Sequence, residues 1–214
     1  MKLDKNTLHN YWIENEEKFK SIVDSMTFRP CGVWYTDAFL FLSICDLLDV
    51  DLIIESGRAW GVSTEIFAKY FKDIEIHSFE RVPERAEIEA QKHLNKLDNV
   101  HCYNMNVFDN SRLIVQDNFD KNIGVFIDGP KDHEAQQNLT KQLDYTNVKT
   151  FGYHDVRDYG ERDFHTYDLD FIQDFMYLND KIFIEDPAQL DNGESGAGCL
   201  VKINWRLEFL FTIY

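Results

Sequence analysis

From Asp49 onward the chain alternates two textures, and this alternation limits the folds open to it. Short apolar runs rich in β-branched and aromatic residues cover 51–55 (DLIIE), 74–79 (IEIHSF), 99–107 (NVHCYNMNV), 122–128 (NIGVFID) and 148–155 (VKTFGYHD). Longer segments of helical period separate them: STEIFAKYFK, PERAEIEAQKHLNKL, a short piece near Ser111 to Gln116, and HEAQQNLTKQLDY. Strands joined by segments of that length cannot pair as hairpins, so they form βαβ units in a parallel sheet covered on both faces. The fold class that follows is α/β, a doubly wound Rossmann-like sheet.

Both ends depart from this rhythm. Asn6 to Asp24 carries apolar residues at helical spacing, and Thr36 to Leu48 reads as a more apolar helix with Thr36 at its N-cap. Residues 1–48 are therefore an N-terminal helical cap on a domain spanning 49–214, within one structural domain overall. Toward the C-terminus a helix is expected around Asp168 to Leu178. KIFIED (181–186) and INWRLEFLFTIY (203–214) then flank a loop containing GESGAG. That loop has no room for a crossover helix, so the two flanking strands are expected to pair as a C-terminal antiparallel hairpin.

The functional signal lies where the first strand meets its helix, LIIESGRAWGVST. Ligands of open α/β sheets collect beyond the carboxyl ends of the strands, at such turns. Gly57 and Gly61 let a ligand approach bare main chain, and Ser63 and Thr64 are placed to bond the first turn of the next helix. The second strand ends in Glu80, nineteen residues after Gly61, where a carboxylate can accept from ribose hydroxyls. The plain alternative is that Glu80 opens a solvated turn before Pro83. Glu55 stands at the first strand's tip, where a carboxylate repels a pyrophosphate and favours a cation such as a sulfonium.

This arrangement resembles the class I S-adenosylmethionine-dependent methyltransferases, nearest the small-molecule O-methyltransferases and cephalosporin-hydroxylase-like proteins. Glu55, Gly57 and Gly61 match the acid and spaced glycines, Glu80 the acid of the second strand, and IDGP the fourth strand's end. The resemblance implies S-adenosylmethionine as cofactor and methyl transfer to a small polar acceptor such as a sugar hydroxyl. It also implies an adenine contact in NMNVFD, from Asn106 or alternatively Asp109. Ala59 replaces the usual middle glycine, between Arg58 and Trp60. Arg58 either pairs with the methionine carboxylate or points outward.

For the chemistry, Asp128 ends the fourth strand and His154 and Asp155 end the fifth, while His133 opens the helix between them. Either a histidine, His154 or His133, takes the acceptor's proton, or Asp128 and Asp155 hold a Mg²⁺ that lowers the hydroxyl's pKa. The related acid pair DGD is DGP here, which weakens the metal reading. Each residue also has a structural reading: His133 as a polar first-turn residue, His154 as part of the sheet interior, Asp155 as a loop cap.

A net charge of −16 with no basic cluster argues against nucleic acid or an anionic membrane as partner. Four scattered cysteines without CxxC spacing signal neither zinc nor a disulfide framework. The N-terminus has no apolar leader-like run, so a cytoplasmic protein acting on a small-molecule substrate is expected. Oligomeric state stays open, a homodimer included. Two rival functions share the turn and the acid: an NAD-dependent oxidoreductase and a non-catalytic binding protein with the same fold.

Overall fold

In a computed structural model the described residues are 5–26, 33, 35–81, 85–129, 133–156, 175–178 and 198–203. They form α1 (Lys5–Asp24), α2 (Tyr35–Leu47), β1 (Leu52–Ser56), α3 (Val62–Tyr70), β2 (Glu75–Phe79), α4 (Arg85–Leu94), β3 (Val100–Tyr103), α5 (Val107–Asp117), β4 (Ile123–Ile127), α6 (His133–Gln142), β5 (Val148–Val156), β6 (Phe175–Leu178) and β7 (Gly198–Ile203). The sheet runs β3-β2-β1-β4-β5-β7-β6. Its first five strands are parallel.

β1 and β4 sit at the centre because LIIES and IGVFI are mainly apolar on both faces, and every residue in both is buried. Side chains alternate across the sheet. Ile53 and Phe126 join α1, α2 and α3 in one core with Trp12, Phe19, Phe41 and Phe67. Leu52, Ile54, Val125 and Ile127 meet Val107 and Val115 of α5, Leu139 of α6 and Leu143 just after it in the other. Phe41 of α2 packs against Phe67 and Phe126 at 5.5 and 5.1 Å between centroids. A Cβ on Gly152 would lie 2.6 Å from the Phe41 ring, so glycine there lets α2 press onto β5. The helical cap thus completes the core that α3 and the sheet begin.

Several expected boundaries move. The third strand ends at Tyr103 rather than 107, because Asn106 caps a helix that starts at Val107 and runs eleven residues, longer than the short piece expected near Ser111. α2 begins at Tyr35, placing Thr36 inside the helix instead of at its cap. Of the helix expected over Asp168 to Leu178, Phe175–Leu178 is strand β6. β7 pairs antiparallel with both β5 and β6. The hairpin expected on 181–186 and 203–214 lies outside the described residues except for Ile203, the last residue of β7.

Candidate cofactor and active site

The chain leaves β1 toward β2 and β3, then returns to β1's other side as β4, which opens a crevice at the carboxyl ends of β1 and β4. Two main-chain turns meet there. Gly57 has φ +90°, and a Cβ on it would lie 2.5 Å from the Gly129 nitrogen, so the loop after β1 rests directly on the loop after β4. Ser56 O accepts from Asp128 N at 2.8 Å and Gly129 N at 2.9 Å, and the Ser56 hydroxyl donates to Gly129 O. Gly61, φ +73°, caps α3 with no side-chain bond, leaving main chain at the helix start.

Glu55 does not face this crevice. It is fully buried, and its carboxylate accepts hydroxyl bonds from Ser63, Thr64 and Ser78. Burial pushes its pKa up, and the three hydroxyls pull it partway back. The residue joins β1, β2 and the first turn of α3 from behind. This corrects the expected exposed negative tip, and Ser63 spends its hydroxyl on Glu55 rather than on the helix terminus.

Arg58 takes neither expected position. It is 1% exposed, and its Nη1 donates to Ser78 O at 2.8 Å and Tyr103 O at 3.3 Å, its Nη2 to Asn104 Oδ1 at 2.7 Å. The guanidinium ties the glycine turn to the ends of β2 and β3. Next to it Ala59 has φ +42°, a left-handed conformation uncommon for alanine, and its N–H donates to Glu80 Oε2 at 2.9 Å. Glu80 N bonds Tyr103 O at 2.9 Å. The second-strand acid is thus anchored at the crevice by one oxygen.

Asn106, read as an adenine contact, spends its side-chain oxygen on Phe108 N at 3.2 Å as the N-cap of α5. Asp109 lies in that helix's first turn. Asp128 stands directly after β4, half-buried. His154 is 5% exposed, and its Nδ1 lies 2.8 Å from Asp37 Oδ2 of α2, which is also buried. The side chains of His133 and Asp155 lie outside the described residues. Among the described residues no group of three His, Cys, Asp or Glu side chains is placed to hold a metal ion. Of the two carboxylates assigned to Mg²⁺, only Asp128 is described, and one carboxylate does not make that site.

Sequence reasoning missed Asp37, Ser78 and Asn104. Ser78 had a signal, a lone hydroxyl on a strand face otherwise buried in apolar contacts. Asp37 and Asn104 had none, since each gains its partner from a distant segment.

No family model matches this chain, and no curated protein matches it in sequence. Solved structures do resemble it. One is reported as a putative caffeoyl-CoA O-methyltransferase from Staphylococcus aureus, at 18% identity and TM-score 0.54 over 89% of this chain and 91% of that one. Another is an O-methyltransferase from Bacillus cereus in complex with SAH, at 14% and 0.55 over 94% and 92%. A precorrin-6y C5,15-methyltransferase from Geobacter metallireducens gives 16% and 0.53 over 82% and 90%. At these identities the likeness establishes the fold, that of the class I S-adenosylmethionine-dependent methyltransferases.

Proposed function

We propose that the protein transfers the methyl group of S-adenosylmethionine to a small polar acceptor, a hydroxyl of a sugar or other metabolite being the acceptor class. The observation that carries this reading is Glu80 held by Ala59 N–H beside the Gly57 to Gly61 turn. A carboxylate and a partly buried glycine turn then border one crevice, where a ribose and an aminoacyl chain would lie side by side. The fold shared with proteins reported as methyltransferases supports the same reading.

The oxidoreductase reading is disfavoured at the start of α3. A pyrophosphate needs unopposed N–H groups there. The buried Glu55, bonded to the first-turn hydroxyls of Ser63 and Thr64, sets a carboxylate behind that turn against an anion.

In the proposed reaction the acceptor oxygen attacks the methyl carbon as the carbon–sulfur bond breaks. The sulfur leaves as a neutral thioether, and the hydroxyl proton passes to a base. Asp128, at the tip of β4, is the described carboxylate at the crevice suited to take it. His154 has Nδ1 committed to Asp37, so it can act only through Nε2. Mg²⁺, if held by Asp128 and Asp155, would lower the hydroxyl's pKa.

Calorimetry on the full chain tests the cofactor. S-adenosylhomocysteine should bind with micromolar affinity and NADH should not; the reverse result replaces this reading with the oxidoreductase. Nucleoside binding without methylated product from any hydroxyl acceptor would point to the non-catalytic binding protein.

A further inference from the structure

We propose that Ser56 is a positioning residue for Asp128, fixing that carboxylate relative to the cofactor-side turn. The inference rests on the methyltransferase reading above, in which Asp128 takes the acceptor's proton. Ser56 is the last residue of β1, 3% exposed, and it stands opposite Ile127 in the parallel register of β1 and β4. A parallel ladder accounts for one bond beyond that pair, from Asp128 N to Ser56 O. Ser56 makes two more. Its carbonyl also accepts from Gly129 N, and its hydroxyl donates to Gly129 O. One serine thus holds the N–H of Asp128 and both polar main-chain groups of the residue after it.

Asp128 lies past the last residue of β4, and Gly129 follows it with no side chain to pack. A carboxylate on such a turn points where its main chain is held. The neighbouring main-chain donors are spent elsewhere, since Gly57 N and Arg58 N both bond Phe79 O at 3.0 Å. The donor for Gly129 O therefore comes from the side chain at position 56. The leucine and isoleucines that fill the rest of β1 could not supply it.

The turn also faces the other way. Through Phe79 O and Glu80 Oε2 it holds the end of β2 and the acid assigned to the ribose. Through Ser56 it holds the acid assigned to the acceptor's proton. Methyl transfer needs sulfur, methyl carbon and acceptor oxygen in line, and a misplacement of about 1 Å costs on the order of a hundredfold in rate. The Ser56 hydroxyl is the bond that keeps these two carboxylates in one frame.

The test compares wild type with Ser56→Ala in the full chain. Methyl transfer from S-adenosylmethionine is measured with glucose, glycerol and catechol as hydroxyl probes, S-adenosylhomocysteine affinity by calorimetry, and exchange of the Asp128 and Gly129 amides by NMR. At saturating cofactor, kcat should fall about tenfold or more. Affinity should stay within about twofold, because the bonds from the turn to Phe79 and Glu80 remain. The Asp128 and Gly129 amides should exchange faster.

A hydroxyl with a structural role alone would lower the melting temperature and leave kcat as it is, and that result overturns the proposal. Affinity falling in step with kcat also overturns it, by making Ser56 a part of the cofactor turn. So does a slower kcat with unchanged exchange, which puts the effect away from Asp128. Wild type that binds no S-adenosylhomocysteine overturns the methyltransferase reading itself. Wild type that binds it and methylates none of the probes points to the non-catalytic binding protein and removes the role assigned to Ser56.

Discussion

Gly57 and Gly129 touch main chain to main chain: a Cβ on Gly57 would lie 2.5 Å from Gly129 N and 2.8 Å from the Asp128 carbonyl carbon. Neither atom belongs to a side chain that could swing aside. Gly57→Ala must also hold φ near +90°, outside the conformations alanine adopts without strain. Together, backbone strain and overpacking are expected to cost about 2–5 kcal/mol. Urea denaturation should show it as a lower midpoint, and S-adenosylhomocysteine affinity should fall at the same time. Wild-type stability in Gly57→Ala would mean that the two loops are not in contact.

Glu55 accepts three hydroxyls while fully buried. Glu55→Ala leaves Ser63, Thr64 and Ser78 without that acceptor and opens a cavity, a loss of about 2–4 kcal/mol. Its pKa is raised, chiefly by desolvation. The folded state therefore binds more protons than the unfolded one once pH rises above the ordinary carboxylate value, and stability falls as pH climbs through the raised value. Glu55→Gln cannot ionise, so its stability curve should be flatter than wild type over that window. Equal slopes in the two proteins would show that Glu55 ionises as if in water.

How much of this was legible in the residues follows from the range of the interactions. The five parallel strands were readable because β1 and β4 are mainly apolar on both faces and each helix between strands has its own period. Glu80 was readable because a strand end fixes its place. Glu55 was misread because sequence gives its position at the strand tip but not its side-chain direction, and alternation turns it toward the helix-covered face with Ile53. Arg58 was misread for a related reason, since its partners Ser78, Tyr103 and Asn104 come from two later strands. The third strand appeared too long because Asn106 supports either a strand residue or a cap, and local sequence does not decide between them.

Asp37 and His154, 117 residues apart, form a buried hydrogen-bonded pair that fastens the helical cap to β5. Removing one partner takes a buried hydrogen bond from the other, so Asp37→Ala and His154→Ala should each cost about 1–3 kcal/mol. The double variant should cost clearly less than the sum, because the second substitution removes a group that has already lost this bond. Chemical denaturation of the four proteins measures this. Additive losses would show that the two side chains act independently.

His77 on β2 stacks against His101 of β3 at 4.8 Å, and its Nδ1 lies 3.0 Å from the Tyr103 hydroxyl. Its pKa is lowered to about 4, first by desolvation and then by the charge of His101, with Lys121 adding to the effect and Glu75 opposing it. The unfolded chain takes a proton near pH 6.5 and the folded one near 4, so the folded state holds fewer protons between these values. Stability from this residue is complete above pH 6.5 and is lost as pH falls toward 4, by on the order of 2–3 kcal/mol. His77→Phe keeps the ring stack but cannot titrate, so its stability should decline less than wild type from pH 6.5 to 4. The check is urea denaturation at half-unit steps of pH, with the His77 imidazole followed by NMR. Parallel acid limbs, or an imidazole titrating near 6.5, would assign the acid sensitivity to other groups.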